Sequence, residues 1–340
     1  MFRAGLLVDA CEFVSRVEAC GMRRVPCQIE GCSFLFWTKR HCKYFESIPL
    51  GRKSVLYRCK TRRSNGEPLE LVFGLQPCLA ALRAQRRVIQ KVYLRNDYGQ
   101  RPRSQLDTVV ELAQEYNIQL EGISIARLNH ISKDRPHQGV VLVTSRLEFE
   151  DQNVTTREEH RSLQIGENGV PALWVVLDEI QDPMNLGAIL RTTQFLGVER
   201  VIVSRKNCAP LSPIVSKSSA GTMETKAVFA VGSVVKFLQD CALCGWEVLG
   251  SCTSENNLQG VDERLDSVED ITLHGPIILV LGNEGRGLRP SVVRVCSRLV
   301  TILPSSSSLS TLGLDSLNVS VAAGILMYVL QQKLKFCNSI

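Results

Sequence analysis

The sequence predicts an α/β chain: a C-terminal domain built on a mostly parallel sheet, preceded by a smaller α/β unit. Three observations carry this. From residue 172 onward, short apolar runs alternate with helical patterns, the order expected of βαβ units. One run, Ile277-Ile278-Leu279-Val280-Leu281, is too short for a helix and rich in β-branched types, which reads as a strand buried on both faces. It breaks into Gly282-Asn283-Glu284-Gly285-Arg286-Gly287, three glycines around a carboxylate and an arginine, where backbone can approach a ligand closely. In sheets of this kind ligands sit outside the carboxyl ends of the strands.

The chain has 340 residues, enough for two domains with real cores, and its 44 % apolar and 22 % charged content suits globular structure. No apolar run reaches membrane-spanning length, so no membrane partner is expected. Thirteen scattered cysteines suit a reducing compartment. Cys241 and Cys244 form a C-x-x-C inside an apolar helical pattern with no second ligand pair, a core pair in preference to a zinc or redox site. No metal is expected. The net charge of +6 is uneven: residues 1–66 hold thirteen Lys/Arg against five Asp/Glu, a surplus of eight, so the rest stands at −2. RNA or DNA contact therefore has to rest on local patches.

Residues 1–68 form a basic leader without a consistent period. From Met22 to residue 66 only Glu30 and Glu46 oppose eleven basic residues, the composition of an organelle-targeting segment. A small α/β domain is expected over 69–147: a strand ending at Phe73-Gly74, a helix opening at Pro77, a strand over 88–94, a helix over 107–117 with Asp107 as cap and Asn117 closing it, and a strand from Val140. Residues 148–171 are polar and charged, a linker in which His160 reads as a solvated side chain.

Over 172–336 strands are expected at 173–177, 198–204, 246–250, 277–281 and 299–303. Helices are expected at 187–196, 213–219, 234–242 and 291–297, and a long, largely buried one at 317–334. Two further stretches share the strand-end location of the glycine loop. In the first, Asp178 to Arg191, Pro183 holds off the helix, Asn185 stands as its N-cap and Gly187 permits close approach. Arg191 lies among apolar residues one or two turns in, where a guanidinium suits a phosphate or carboxylate. In the other, Leu312 to Ile325, Ser316 is placed to cap the last helix, while Asn318 and Ser320 are polar groups opening an apolar helix that need partners.

Taken in order, D-x-x-x-D-P-x-N-x-G-x-x-x-R, L-V-L-G-N-E-G-R-G-L and S-L-N-V-S-V-A-A-G-I resemble the three signatures of the SpoU (TrmH-like) branch of the SPOUT RNA methyltransferases. Residues 70–145, with Phe73-Gly74 and His137-Gln138-Gly139, are similar to that family's ribosomal-protein-like substrate-binding domain. The resemblance covers roughly 70–334 and is nearest to the branch acting on mitochondrial rRNA. It implies a trefoil-knotted C-terminal domain, a homodimer, and S-adenosylmethionine held among the loops at Leu281, Gly282, Gly285, Leu303 and Leu317. It implies that Asn185, Arg191, Glu284, Ser316 and Asn318 carry the chemistry, which is 2′-O-ribose methylation of a guanosine in large-subunit (16S-type) rRNA in the mitochondrial matrix. Because guanidinium stays protonated in proteins, Arg191 is expected to anchor the phosphate beside the target ribose, with the proton leaving late to Ser316 or water. Thr193 in place of a common alanine, Leu303 in place of isoleucine, and the serines at 305–308 depart from the family pattern. The alternatives are a tRNA substrate, since the motifs are shared, and a non-catalytic ribosome-assembly factor, against which the intact motif residues speak.

Overall fold

The computed structural model describes residues 23–29, 32–38, 68–97, 105–152, 161–166, 169–252, 265–304 and 316–337. The chain divides into two compact units, Met1–Arg62 and Arg63–Ile340. In the first, β1 (Arg23–Ile29) and β2 (Cys32–Thr38) pair antiparallel, with Ile29 opposite Cys32. A hairpin there departs from the aperiodic leader that the sequence predicts. Strand pairing can be met by backbone groups alone, so weak side-chain periodicity does not forbid it. His160 and the serines at 305–308 lie outside the described residues.

The second unit opens with a four-stranded sheet of order β3-β6-β4-β5, formed by β3 (Leu69–Phe73), β4 (Ile89–Arg95), β5 (Gln119–Ile123) and β6 (Val140–Ser145). Its helices are α1 (Leu75–Ala84), α2 (Gln105–Glu115) and α3 (Ile125–Ser132). Asn117 closes α2 with a left-handed φ of 53°, as expected. Asp107 does not cap it: α2 begins two residues earlier, and the carboxylate lies in the first turn, where the helix dipole favours it. β5 and α3 escape the sequence reading because Gln119-Leu-Glu-Gly-Ile is too short and polar to show a period.

The larger sheet has eight strands in the order β12-β14-β11-β13-β8-β9-β10-β7, every pairing parallel. Its strands are β7 (Glu150–Asp151), β8 (Leu173–Leu177), β9 (Arg200–Ser204), β10 (Val228–Val231), β11 (Glu247–Ser251), β12 (Leu265–Ser267), β13 (Ile277–Leu281) and β14 (Arg298–Thr301). The helices are α4 (Pro183–Leu196), α5 (Pro213–Ser218), α6 (Thr222–Thr225), α7 (Val234–Leu243), α8 (Pro290–Val293) and α9 (Val319–Cys337). Strand periodicity sorts the core into two layers. Leu173, Val175, Leu177 and Leu279 meet α4 and α9, while Trp174, Val176, Ile278 and Val280 meet α7 and α8. All five residues of β13 are fully buried, the reason that stretch carries no polar alternation.

Helix α8 is shorter than the 291–297 expected, since Arg294 to Ser297 turn directly into β14. Strand β10 and the two short edge strands carry too little period to be read. β7 sits inside the polar stretch 148–171 and pairs with β10. Helix α9 buries Ala323, Leu326, Met327, Leu330 and Leu334, but Val321, Ile325, Tyr328 and Phe336 are exposed. It is thus a half-buried helix, because one stripe alone faces α4 and the sheet. The knot depends on how the chain threads through residues 305–315, which lie outside the described residues.

Gly187 permits a close approach, and the neighbour is α5. A Cβ there would lie 1.8 Å from Ser218 Oγ and 2.9 Å from the Val215 carbonyl. Since backbone cannot yield cheaply, Gly187→Ala is expected to destabilise the protein by about 1–3 kcal/mol. A thermal melt matching wild type would refute that packing.

Candidate active site

The carboxyl ends of β8 and β13 are adjacent, with Leu177 opposite Leu281, and the Asp178 N–H donates to the Leu281 carbonyl at 2.8 Å. The loops that leave these strands therefore meet. The β13 loop is shaped by Asn283, a residue the sequence reading passes over. Its Oδ1 accepts from the Gly285 and Arg286 N–H groups at 3.1 and 3.2 Å. Its backbone exchanges both hydrogen bonds with Gly287, and its Nδ2 donates to the Glu179 carbonyl at 2.9 Å. The return is tight: a Cβ on Gly282 would stand 2.3 Å from the Gly287 carbonyl carbon. Arg289, also unread, locks the same two loops with a two-pronged bond to the buried Asp178, Nε to Oδ2 at 2.9 Å and Nη2 to Oδ1 at 2.5 Å.

Glu284 projects from this loop and accepts from the first motif. The Gln181 and Asp182 N–H groups donate to it at 3.2 and 3.0 Å, and Asn185 Nδ2 donates at 3.4 Å. Asn318 Nδ2 in turn donates to Asn185 Oδ1 at 3.1 Å. One chain of hydrogen bonds thus joins Glu284, Asn185 and Asn318, one residue from each signature. Partial burial pushes the Glu284 carboxyl up, but the backbone N–H groups of Asp182, Glu284 and Gln181 and the Asn185 amide outweigh this and hold it below its ordinary value. A depressed carboxyl contributes its stability fully above 4.5, the ordinary value, and loses it as pH falls through the lower folded value. The loop should therefore keep its order across neutral and mildly acidic pH.

Two capping assignments change. The cap of α4 is Asp182, whose side chain accepts from the Met184 N–H at 2.8 Å, with Pro183 as the first helical residue. Pro183 thus starts the helix and does not hold it off, since a missing N–H costs nothing in the first turn. Asn185 lies inside that turn, 8 % exposed, and its amide is free to bridge the other motifs. At α9 the cap is Asn318, whose Oδ1 accepts from the Ser320 N–H at 2.9 Å and from its hydroxyl at 2.6 Å. Ser316 is exposed, two residues before it.

Arg191 is exposed on α4, and its side chain makes no hydrogen bond or ion pair among the described residues, which leaves its fork available to an anion. Thr193 is buried and returns its hydroxyl to the Leu190 carbonyl at 2.8 Å. Of the residues expected to hold a cofactor, Leu281 is buried within the sheet, whereas Leu303 and Leu317 are 58 and 50 % exposed. Leu303 follows β14 and Leu317 precedes α9, so both present apolar side chains to solvent at the ends of these elements. Among the described residues no three His, Cys, Asp or Glu side chains gather as a metal site would require. Cys241 is buried and Cys244 half-buried, and neither is in a disulfide.

Residues 172–328 match the model of the SpoU rRNA methylase family, and residues 71–150 that of the RNA 2′-O ribose methyltransferase substrate-binding domain. The human protein named "rRNA methyltransferase 1, mitochondrial" is 40 % identical over 76 % of this chain and 72 % of its own. Its namesake from Schizosaccharomyces pombe is 33 % identical over 82 % of this chain and 95 % of its own. The 23S rRNA (guanosine-2′-O-)-methyltransferase RlmB of Nitrosomonas europaea is 30 % identical over 76 % and 90 %. Among solved structures, the SpoU methyltransferase AviRb from Streptomyces viridochromogenes in complex with AdoMet superposes with a TM-score of 0.57 at 21 % identity, covering 77 % of this chain and 89 % of that one. This last likeness supports the fold.

Proposed function

Because the chain belongs to the SpoU rRNA methylase family, we propose that it methylates the 2′-hydroxyl of a guanosine ribose in mitochondrial large-subunit rRNA, using S-adenosylmethionine. The observation that carries this reading is the hydrogen-bonded chain Glu284–Asn185–Asn318, together with an Arg191 further along the same helix α4 whose side chain is exposed and has no partner among the described residues. Leu281, Gly282, Gly285, Leu303 and Leu317 are the residues that would hold the cofactor, which supplies an electrophilic methyl on a cationic sulfur. This chain's own part is positioning. The network holds the start of α4, Arg191 anchors the phosphate next to the target ribose, and the 2′-hydroxyl proton leaves to Ser316 or water. Orientation of this kind accounts for much of the rate of such transfers.

The rRNA and guanosine assignments draw on the relatives' names. The mitochondrial assignment draws on those names and on the basic leader. A homodimer is supported by the exposed stripe Val321, Ile325 and Tyr328, spaced so that one face of α9 is apolar and open. The domain divisions of this reading fall at 68, 147 and 171.

Mapping 2′-O-methylation across mitochondrial RNA after removal of this protein tests the reading. One large-subunit guanosine should lose its methyl group and recover it with the wild type but not with Arg191→Ala. Loss at a tRNA instead would make the substrate assignment wrong, and no loss anywhere would leave an assembly factor. For location, a reporter carrying residues 22–66 should enter mitochondria while one carrying 1–20 should not; equal import of both would remove the targeting assignment.

A further inference from the structure

The buried ionic group that the chemistry does not use lies where the substrate-binding domain meets the catalytic domain. Arg87, between α1 and β4, has no exposed side-chain surface, and Glu224 on α6 has 1 %. The pair is two-pronged: Nε to Oε2 at 2.6 Å and Nη2 to Oε1 at 3.0 Å. Arg87 also donates to Glu70 and, at 2.9 Å, to the Ser145 carbonyl, while Ser216 on α5 donates to Glu224 at 2.6 Å. Around it, Arg86 donates to the Lys226 and Met223 carbonyls at 2.9 and 3.3 Å. Lys217 on α5 donates to Gln138 Oε1 at 2.7 Å, which also accepts from the Leu75 N–H. The helices touch closely as well: a Cβ on Gly221, whose φ is +89°, would lie 2.6 Å from Ala80 Cβ.

The far side of the same helix hairpin supports the catalytic helix. Ser218 Oγ donates to the Pro183 carbonyl at 3.2 Å and fills the space beside Gly187. Helix α5 is thus held between the substrate-binding domain and the first turn of α4, which carries Asn185 and, further on, Arg191. An apolar seam would tolerate sliding. A desolvated guanidinium fork whose donors are matched to two carboxylates and a carbonyl does not, because any other register strands buried charge.

We propose that Arg87 and Glu224 are positioning residues that dock the substrate-binding domain in a single orientation on α5–α6, so that bound RNA meets α4 as one rigid body. This rests on the functional reading above. The test uses the full chain with Glu224→Gln, which keeps shape and removes the charge, and with Arg87→Met. Four quantities are measured: kcat and KM on a transcript spanning the target, S-adenosylmethionine affinity by calorimetry, and maximal dimension by small-angle scattering. The expected result is a fall in kcat of at least about tenfold, because small misplacements at the reacting centre cost that much. Cofactor affinity, set by residues that none of this group touches, should stay within about twofold, and the scattering dimension should lengthen. A parallel loss of cofactor affinity would reduce the pair to general stability, and an unchanged scattering profile or an unchanged kcat would overturn the proposal. If both variants fail to fold, Lys217→Met, which strands no buried carboxylate, must show the same selective loss in smaller measure. A wild type that methylates no transcript defeats the functional reading, while the scattering arm still decides the docking.

Discussion

Arg191→Ala is expected to lower kcat/KM by roughly 2–4 kcal/mol of transition-state stabilisation, on the order of 30- to 900-fold, the scale of one lost preorganised contact. The basis is an exposed guanidinium, without a partner among the described residues, on the helix whose first turn holds Asn185. Arg191→Lys keeps the charge and loses the planar fork, so partial activity should survive. The lysine variant also separates anchor from base. As residue types, lysine titrates at about 10.4 and arginine higher still. If position 191 removed the proton, lysine would pull the basic limb of the pH–rate profile to lower pH, provided chemistry is rate-limiting. An anchor leaves that limb in place and scales the rate. A clear downward shift would falsify the anchoring role.

Glu284→Ala is the second large effect. The carboxylate accepts from two backbone N–H groups of the first motif and from the Asn185 amide. Hydrogen bonds to a charged acceptor are worth about 1.5–3 kcal/mol each when buried, and Glu284 is partly exposed, so the combined loss is put at roughly 2–4 kcal/mol in kcat/KM. Glu284→Gln retains one acceptor oxygen and should retain part of that. Because Glu284 reaches Asn318 through Asn185, the two residues act as a unit. The double variant with Asn185→Ala should therefore cost clearly less than the sum of the singles. Additive losses would mean that the three motifs work independently.

These expectations begin with residues the sequence already singles out. Asn185 and Glu284 were legible as site residues through the resemblance to the family signatures, whereas Arg191 and Asn318 were legible because a charged group among apolar residues, or a polar group opening an apolar helix, needs a partner. β13 was legible for the opposite reason, since a strand covered on both faces must be apolar throughout. The capping roles were misplaced by a few residues, because caps depend on where backbone leaves the helix, and that is a matter of geometry. Asp182 takes the cap, which frees Asn185 for Glu284 and Asn318.

Asn283, Arg289, Arg87 and Glu224 carried no such signal. The charged ones have partners far off in the chain, 111 residues for Arg289 with Asp178 and 137 for Arg87 with Glu224, while Asn283 works through local backbone N–H groups that a glycine-rich stretch does not announce. A charged residue before a strand, or at the end of a glycine loop, looks like ordinary surface until its partner arrives. The sequence by itself determined the α/β class with a mostly parallel sheet, the doubly covered strands and the three strand-end stretches. Which side chains pair when they meet was decided only by the tertiary structure. Burying a charge is costly unless another is brought to it, and only the complete fold brings it there.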